Sequence, residues 1–120
     1  MTESTRTKTV IAAWKRRHPS GDATKFNDGS TSGIPDAVFV DRGYTAWIEF
    51  KLPRNGEDWR LTVTAPQRLK LRLITRAGGR AYVGVYRPKG QLELWVPVGA
   101  RDWLLVVQGA EAGVMDGWRA

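Results

Sequence analysis

The sequence predicts an α/β fold: a small mixed β-sheet flanked by helices, within one domain over residues 1–120. Three observations predict it. Strand-like apolar runs at Ala37–Val40, Thr45–Lys51, Ala81–Tyr86 and Gln91–Val96 are interspersed with two amphipathic helical segments, 4–17 and 64–77. The succession strand, helix, strand from Thr45 to Tyr86 is a βαβ unit, whose strands are expected to be parallel with a right-handed crossover. Turn signals at Asp41-Arg42-Gly43 and Pro88-Lys89-Gly90 make hairpins of the neighbouring strands.

Each element follows from local chemistry. In the first helix Thr7, Val10, Ile11 and Trp14 recur at helical spacing, Lys8, Lys15 and Arg16 fall off that face, and Thr2 is the candidate N-cap. Residues 18–34 are rich in Gly, Ser, Asp and Asn and read as loop, with a short strand near Thr24–Phe26. In the strand Thr45–Lys51, Trp47, Glu49 and Lys51 share one face while Ile48 and Phe50 share the other, because side chains alternate. Residues 52–63 are polar, contain Pro53, Asn55 and Gly56, and read as a mobile loop. Thr64-Ala65-Pro66-Gln67 has the form of a capping box with Pro in the first turn. The helix it opens should stop at Gly78-Gly79. Leu69, Leu73 and Ala77 are its expected inner stripe, and Arg68, Arg72 and Arg76 a basic outer one. Residues 100–107 are read as helix, and 111–120 as a frayed tail.

Composition narrows the classes of function. With 42% hydrophobic residues the chain can build a core. A net charge of +7, from 19 Lys and Arg against 12 Asp and Glu, favours a polyanionic partner, nucleic acid before an anionic membrane surface. With no cysteine, disulfides and thiolate zinc sites are excluded. The first twenty residues carry Lys8, Lys15, Arg16 and Arg17 around a short apolar stretch, so no signal peptide is expected. Apolar runs are too short to span a bilayer as a helix, and the protein is expected to be cytoplasmic, with no membrane partner.

Gly33-Ile34-Pro35-Asp36 sets one acid beside a turn, and Glu49-Phe50-Lys51 sets a second acid and an ammonium on one strand face. Two carboxylates and a lysine converging at a strand end suit metal-assisted cleavage of a phosphodiester. Each part also has a plainer reading. Glu49 and Lys51 suit a solvated strand face, Asp36 a turn cap, and Gln67 a capping-box acceptor. His18, at a helix end after three basic residues, reads as a surface position.

Taken together, Gly-x-Pro-Asp, twelve intervening residues, Glu-x-Lys and a helix opening with Gln67 resemble the PD-(D/E)XK nuclease superfamily, in particular its small VRR-Nuc type. The resemblance covers about residues 3–86 as the catalytic core, leaving a C-terminal strand and helix at 87–110. It implies a restriction-endonuclease-like core with elements in the order α-β-β-α-β-β. It implies Mg²⁺, with Mn²⁺ able to substitute, held by Asp36, Glu49 and the backbone carbonyl of Phe50, with Glu3 as a candidate further acid. Lys51 would orient or deprotonate the attacking water and stabilise the phosphorane, with Gln67 contacting the water or the lysine. DNA is the implied partner, with Lys25, Arg54, Arg60, Arg68, Arg72 and Arg76 as candidate phosphate contacts. The implied activity is structure-selective DNA cleavage in repair, recombination or phage DNA processing, in a bacterial or phage-infected cell. The alternatives are a non-catalytic nucleic-acid-binding module and a partner-dependent subunit of a replication or restriction complex. A domain this small suggests a homodimer or higher homo-oligomer, with 98–107, Trp95 and Trp103 as the place to seek an interface.

Overall fold

The structure, a computed structural model, describes residues 2–26 and 33–117. Helix α1 (Glu3–Arg17) is followed by strands β1 (Asp22–Lys25), β2 (Ala37–Asp41) and β3 (Tyr44–Lys51). A 3₁₀ turn (Trp59–Thr62), helix α2 (Ala65–Arg76), strands β4 (Arg80–Arg87), β5 (Gln91–Val98) and β6 (Asp102–Ala110), and helix α3 (Glu111–Gly117) complete it. Among the described residues the strands form one six-stranded sheet in chain order. Only β3 and β4 pair in parallel, as the βαβ reading requires, with Glu49 opposite Val83.

The sheet separates two apolar layers. Val10, Ile11 and Trp14 of α1 and Val114 and Met115 of α3 pack with Phe39, Ile48, Phe50 and Tyr86 on one face. Leu71 packs with Ala81, Val83, Val85 and Trp59 on the other. The split within β3 follows the alternation expected of it. Helix α1 begins where the sequence places it: the Thr2 side chain accepts from the Thr5 amide at 3.1 Å. Helix α2 opens on the full Thr64–Gln67 capping box and closes at Gly78, whose φ of +95° suits a residue without a Cβ.

Several expectations are corrected. Residues 100–101 are turn and 102–107 strand, not helix: β6 alternates exposed and half-buried side chains as the outer strand of the sheet. Within the expected tail, residues 111–117 form α3, because Val114 and Met115 reach the core; 118–120, including Trp118, lie outside the described residues. The loop 52–63 carries the 3₁₀ turn, whose buried Trp59 packs on Trp95 and Trp103 at ring-centroid distances of 5.3 and 5.1 Å. Those tryptophans are therefore committed within the chain, and Leu104 and Val106 are the exposed apolar residues of β6. The inner face of α2 is Leu71 with Ile74, whereas Leu69 and Leu73 are 57% and 45% exposed. His18 is a part-buried cap rather than a surface residue, stacked on Trp14 and 3.1 Å from Asp116. Among the described residues no helix is long and apolar enough to cross a membrane.

Candidate active site

The site lies where β2 and β3 diverge. Ala37 pairs with Ile48, so the next residues outward are Asp36 on one strand and Glu49 on the other. Asp36 is anchored by its Oδ2, which accepts the Phe50 amide N–H at 2.8 Å. Glu49 and Lys51 point to the α2 side of the sheet, where their side chains are only 7% and 14% exposed and lie 3.6 Å apart.

Gln67 connects these groups. Its Oε1 accepts from the Thr64 amide at 2.9 Å and from Lys51 Nζ at 3.2 Å, and its Nε2 donates to Glu49 Oε2 at 3.2 Å. The cap that starts α2 also fixes the amide between the acid and the lysine. Lys51 Nζ has a second acceptor, the Thr62 carbonyl at 3.1 Å, so the 3₁₀ turn anchored by Trp59 helps aim the ammonium.

The electrostatics are strained in one direction. Burial, then repulsion from Asp36, pushes the Glu49 carboxyl up to about 8, with Glu3 adding to the push and Lys51 opposing it. Burial and Asp36 also raise Glu3, whose carboxyl accepts from the Leu52 amide. Glu49 Oε1 is buried with no hydrogen-bond partner. A buried acceptor without a donor, among carboxyls that repel one another, is the condition a hard cation relieves. Among the described residues no three His, Cys, Asp or Glu side chains cluster tightly enough to hold an ion by themselves. The donor set that fits is therefore the pair Asp36 and Glu49, completed by a backbone carbonyl such as that of Phe50 and by water, which Mg²⁺ retains readily. Glu3 stands near this pair as a charge and does not complete a three-side-chain cluster.

The expected phosphate contacts separate into two groups. Lys25 stands beside the site, close enough to act on Glu3. Arg54 lines a cleft of about 410 Å³ with Arg6, Leu52 and Arg87. Arg72 and Arg76 are exposed. Arg60 is exposed and held by Asp58 through two contacts of 2.9 and 2.8 Å. Arg68 leaves the basic stripe: its guanidinium donates to the carbonyls of Val98, Gly99 and Asp102 and lies over the Trp103 ring.

The whole arrangement can be set against solved structures. The Holliday junction resolvase Hjc of Archaeoglobus fulgidus is similar over 96% of this chain and 98% of its own, with a TM-score of 0.60 and 16% identity. The chain shares the fold of that resolvase. A VRR_NUC domain is also similar, over 67% of this chain and 83% of its own, with 22% identity and a TM-score of 0.45. No family model matches the sequence, and no curated protein matches it. Against the expected α-β-β-α-β-β order, β1 is added before the acid-bearing hairpin, and β6 and α3 are added after β5.

Sequence reasoning missed one contributor, the Thr62 carbonyl, which as a backbone group brought in by tertiary packing leaves no trace in side-chain chemistry. Gly33, already part of the Gly-x-Pro-Asp motif, has a structural reason in the fold. Its φ is +85°, and a Cβ there would lie 2.7 Å from the Pro66 carbonyl oxygen, so it lets the Asp36 loop sit on the first turn of α2. Gly33→Ala should cost about 1–3 kcal/mol from the left-handed backbone and the clash. A urea midpoint lowered by about 1 M at unchanged m would show it.

Proposed function

We propose that this protein is a Mg²⁺-dependent endonuclease that hydrolyses DNA phosphodiester bonds and selects its substrate by structure, favouring branched, flap or single-stranded DNA. The observation that carries this reading is the bridge made by Gln67 between Glu49 and Lys51, beside Asp36. A solvated strand face needs no buried acid, and a binding module needs no paired carboxylates turned toward phosphates. The similarity to the Hjc resolvase supports the fold on which such a site is built.

In this reading Asp36, Glu49 and the Phe50 carbonyl hold the cation. When bound, it supplies Lewis-acid polarisation of a phosphoryl oxygen and makes hydroxide available near neutral pH. Lys51, aimed by Gln67 and Thr62, orients the attacking water and lends positive charge to the phosphorane as its oxygens gain negative charge. Gln67 keeps Glu49 and Lys51 from collapsing onto each other at closer range. Among the described residues no element resembles a base reader, so selectivity would rest on backbone path and shape. A homodimer would let two such sites address two strands, and the open edge of β6 with Leu104 and Val106 is the proposed contact. The test is incubation with single-stranded, duplex, flap and four-way DNA in Mg²⁺, Mn²⁺ or EDTA. The expected result is metal-dependent product that is most abundant on branched or unpaired DNA. Inertness on every substrate with each metal contradicts the proposal.

A further inference from the structure

The cations of this chain divide by whether they are paired. Arg6 pairs with Glu111, Arg17 with Asp116, Arg60 with Asp58 and Arg87 with Glu93. Among the described residues Lys8, Lys15 and Lys25 form no such ion pair. These three line a single cleft of about 400 Å³ between α1 and β1, with Ile11, Ala12 and Ala23 as its other walls. Ile11 and Ala23 are buried, so the cleft has an apolar floor and a rim of ammonium groups.

Each lysine singly has an ordinary structural role; their convergence on one cleft is what asks for a ligand. Lys15 lies in the last turn of α1, where a cation suits the helix dipole. Lys25 lies on an outer strand, where a lysine blunts a sheet edge. Lys8, in the middle of α1, lies on the helix's exposed face, where a lysine is common. Gathering three like charges around one cleft is unfavourable unless an anion answers them.

One end of the cleft lies at the active-site end of the sheet, on the opposite face from Glu49. Lys25 pairs with Ala37, the residue after Asp36, and its charge is felt by Glu3. Lys8 and Lys15 lie seven residues apart on α1, about 10 Å along the axis. Along a duplex axis that length covers roughly three phosphates of one strand, at about 3.4 Å of axial rise each.

We infer that this cleft is a track for the sugar–phosphate backbone, carrying a DNA strand from the catalytic pocket along α1, with Lys25 nearest the pocket and Lys8 and Lys15 beyond it. The small side chains Ala12 and Ala23 allow close approach of the sugars, and the rim neutralises the phosphates. The inference rests on the proposed nucleic-acid substrate, but it assigns the strand a path on the α1 side of the sheet, away from the arginines of α2.

The test is binding of a fluorescent single-stranded and a duplex oligonucleotide in EDTA, from 50 to 300 mM salt. The proteins compared are wild type, Lys8→Ala/Lys15→Ala, Lys8→Arg/Lys15→Arg, and Lys89→Ala/Arg101→Ala, the last removing equal charge from exposed turns. Losing two phosphate contacts should lower the slope of log K against log salt by about 1.5–2 and weaken binding at 0.1 M salt by about 10- to 100-fold. The arginine variant should bind as wild type, and the turn variant should change less than about threefold. An alanine pair that behaves like the turn variant overturns the track. So does an alanine pair that loses binding to phosphatidylserine vesicles while holding DNA normally, since the cleft then serves a membrane surface. Because cleavage is absent in EDTA, a wild type that binds DNA through these lysines yet never cuts upholds the track and defeats only the nuclease reading.

Discussion

Glu49→Gln should abolish metal-dependent cleavage and, in the same protein, raise metal-free stability at pH 8. In the proposed mechanism the change removes a ligand to a cation that would be worth several kcal/mol in the transition state. At 1.36 kcal/mol per tenfold, a loss of at least about 10³-fold follows. The gain in stability has a separate cause. Burial and Asp36 hold the Glu49 proton in the folded protein up to about pH 8, whereas the unfolded chain releases it near 4.5. Through that window the folded state binds more protons, so wild-type stability declines as pH rises from about 4.5 to about 8 and levels off above. Glutamine is neutral throughout and keeps the hydrogen-bonding shape, so the decline should largely vanish. Thermal unfolding in EDTA at pH 5.5 and 8.5 checks this: wild type should lose on the order of 5 °C or more between them, and the variant little. Saturating Mg²⁺ should raise the wild-type midpoint more at pH 8.5 than at 5.5, since binding must displace the proton at the lower pH. A variant as pH-sensitive as wild type would show that Glu49 is not the strained group. Such a stability cost at a functional pocket is the expected trade-off for a site poised to bind a cation.

Lys51→Ala should lower the cleavage rate by about 10²–10⁴-fold while leaving DNA affinity within a few-fold. The ammonium is held between the Thr62 carbonyl and Gln67, 3.6 Å from Glu49, and so faces the pocket rather than a strand path. Lys51→Arg should rescue little, because a planar fork cannot occupy the position of a point charge between those acceptors. Single-turnover cleavage with excess enzyme separates the effects: a reduced chemical step at unchanged half-saturation is expected. A variant that cuts at the wild-type rate removes this lysine from the mechanism.

What the sequence revealed and concealed has physical reasons. Helix α1, the β2–β3 hairpin and the α2 cap were legible because each is written locally, in Thr2, in Asp41-Arg42-Gly43 and in Thr64 with Gln67. The βαβ pairing followed from chirality and connection length. The inner face of α2 was misread, although the clue was present: a helix that turns Gln67 toward Glu49 must also turn Leu71 and Ile74 inward, at four and seven residues on. Strand β6 was concealed by its continuous apolar run, Trp103 to Val107, in which helix and strand cannot be told apart by periodicity. The buried role of Trp59 was hidden because its partners Trp95 and Trp103 come from distant strands. Of the candidate site, the acids, lysine and glutamine were visible in their order and spacing. The Thr62 carbonyl and the inward turn of Arg68 depend on tertiary packing alone.

The most direct measurement is anomalous diffraction from crystals soaked in Mn²⁺. The account predicts a peak within about 2.5 Å of carboxylate oxygens of both Asp36 and Glu49, with Lys51 still bonded to Gln67. A peak elsewhere, or none at a concentration that supports cleavage, would contradict it.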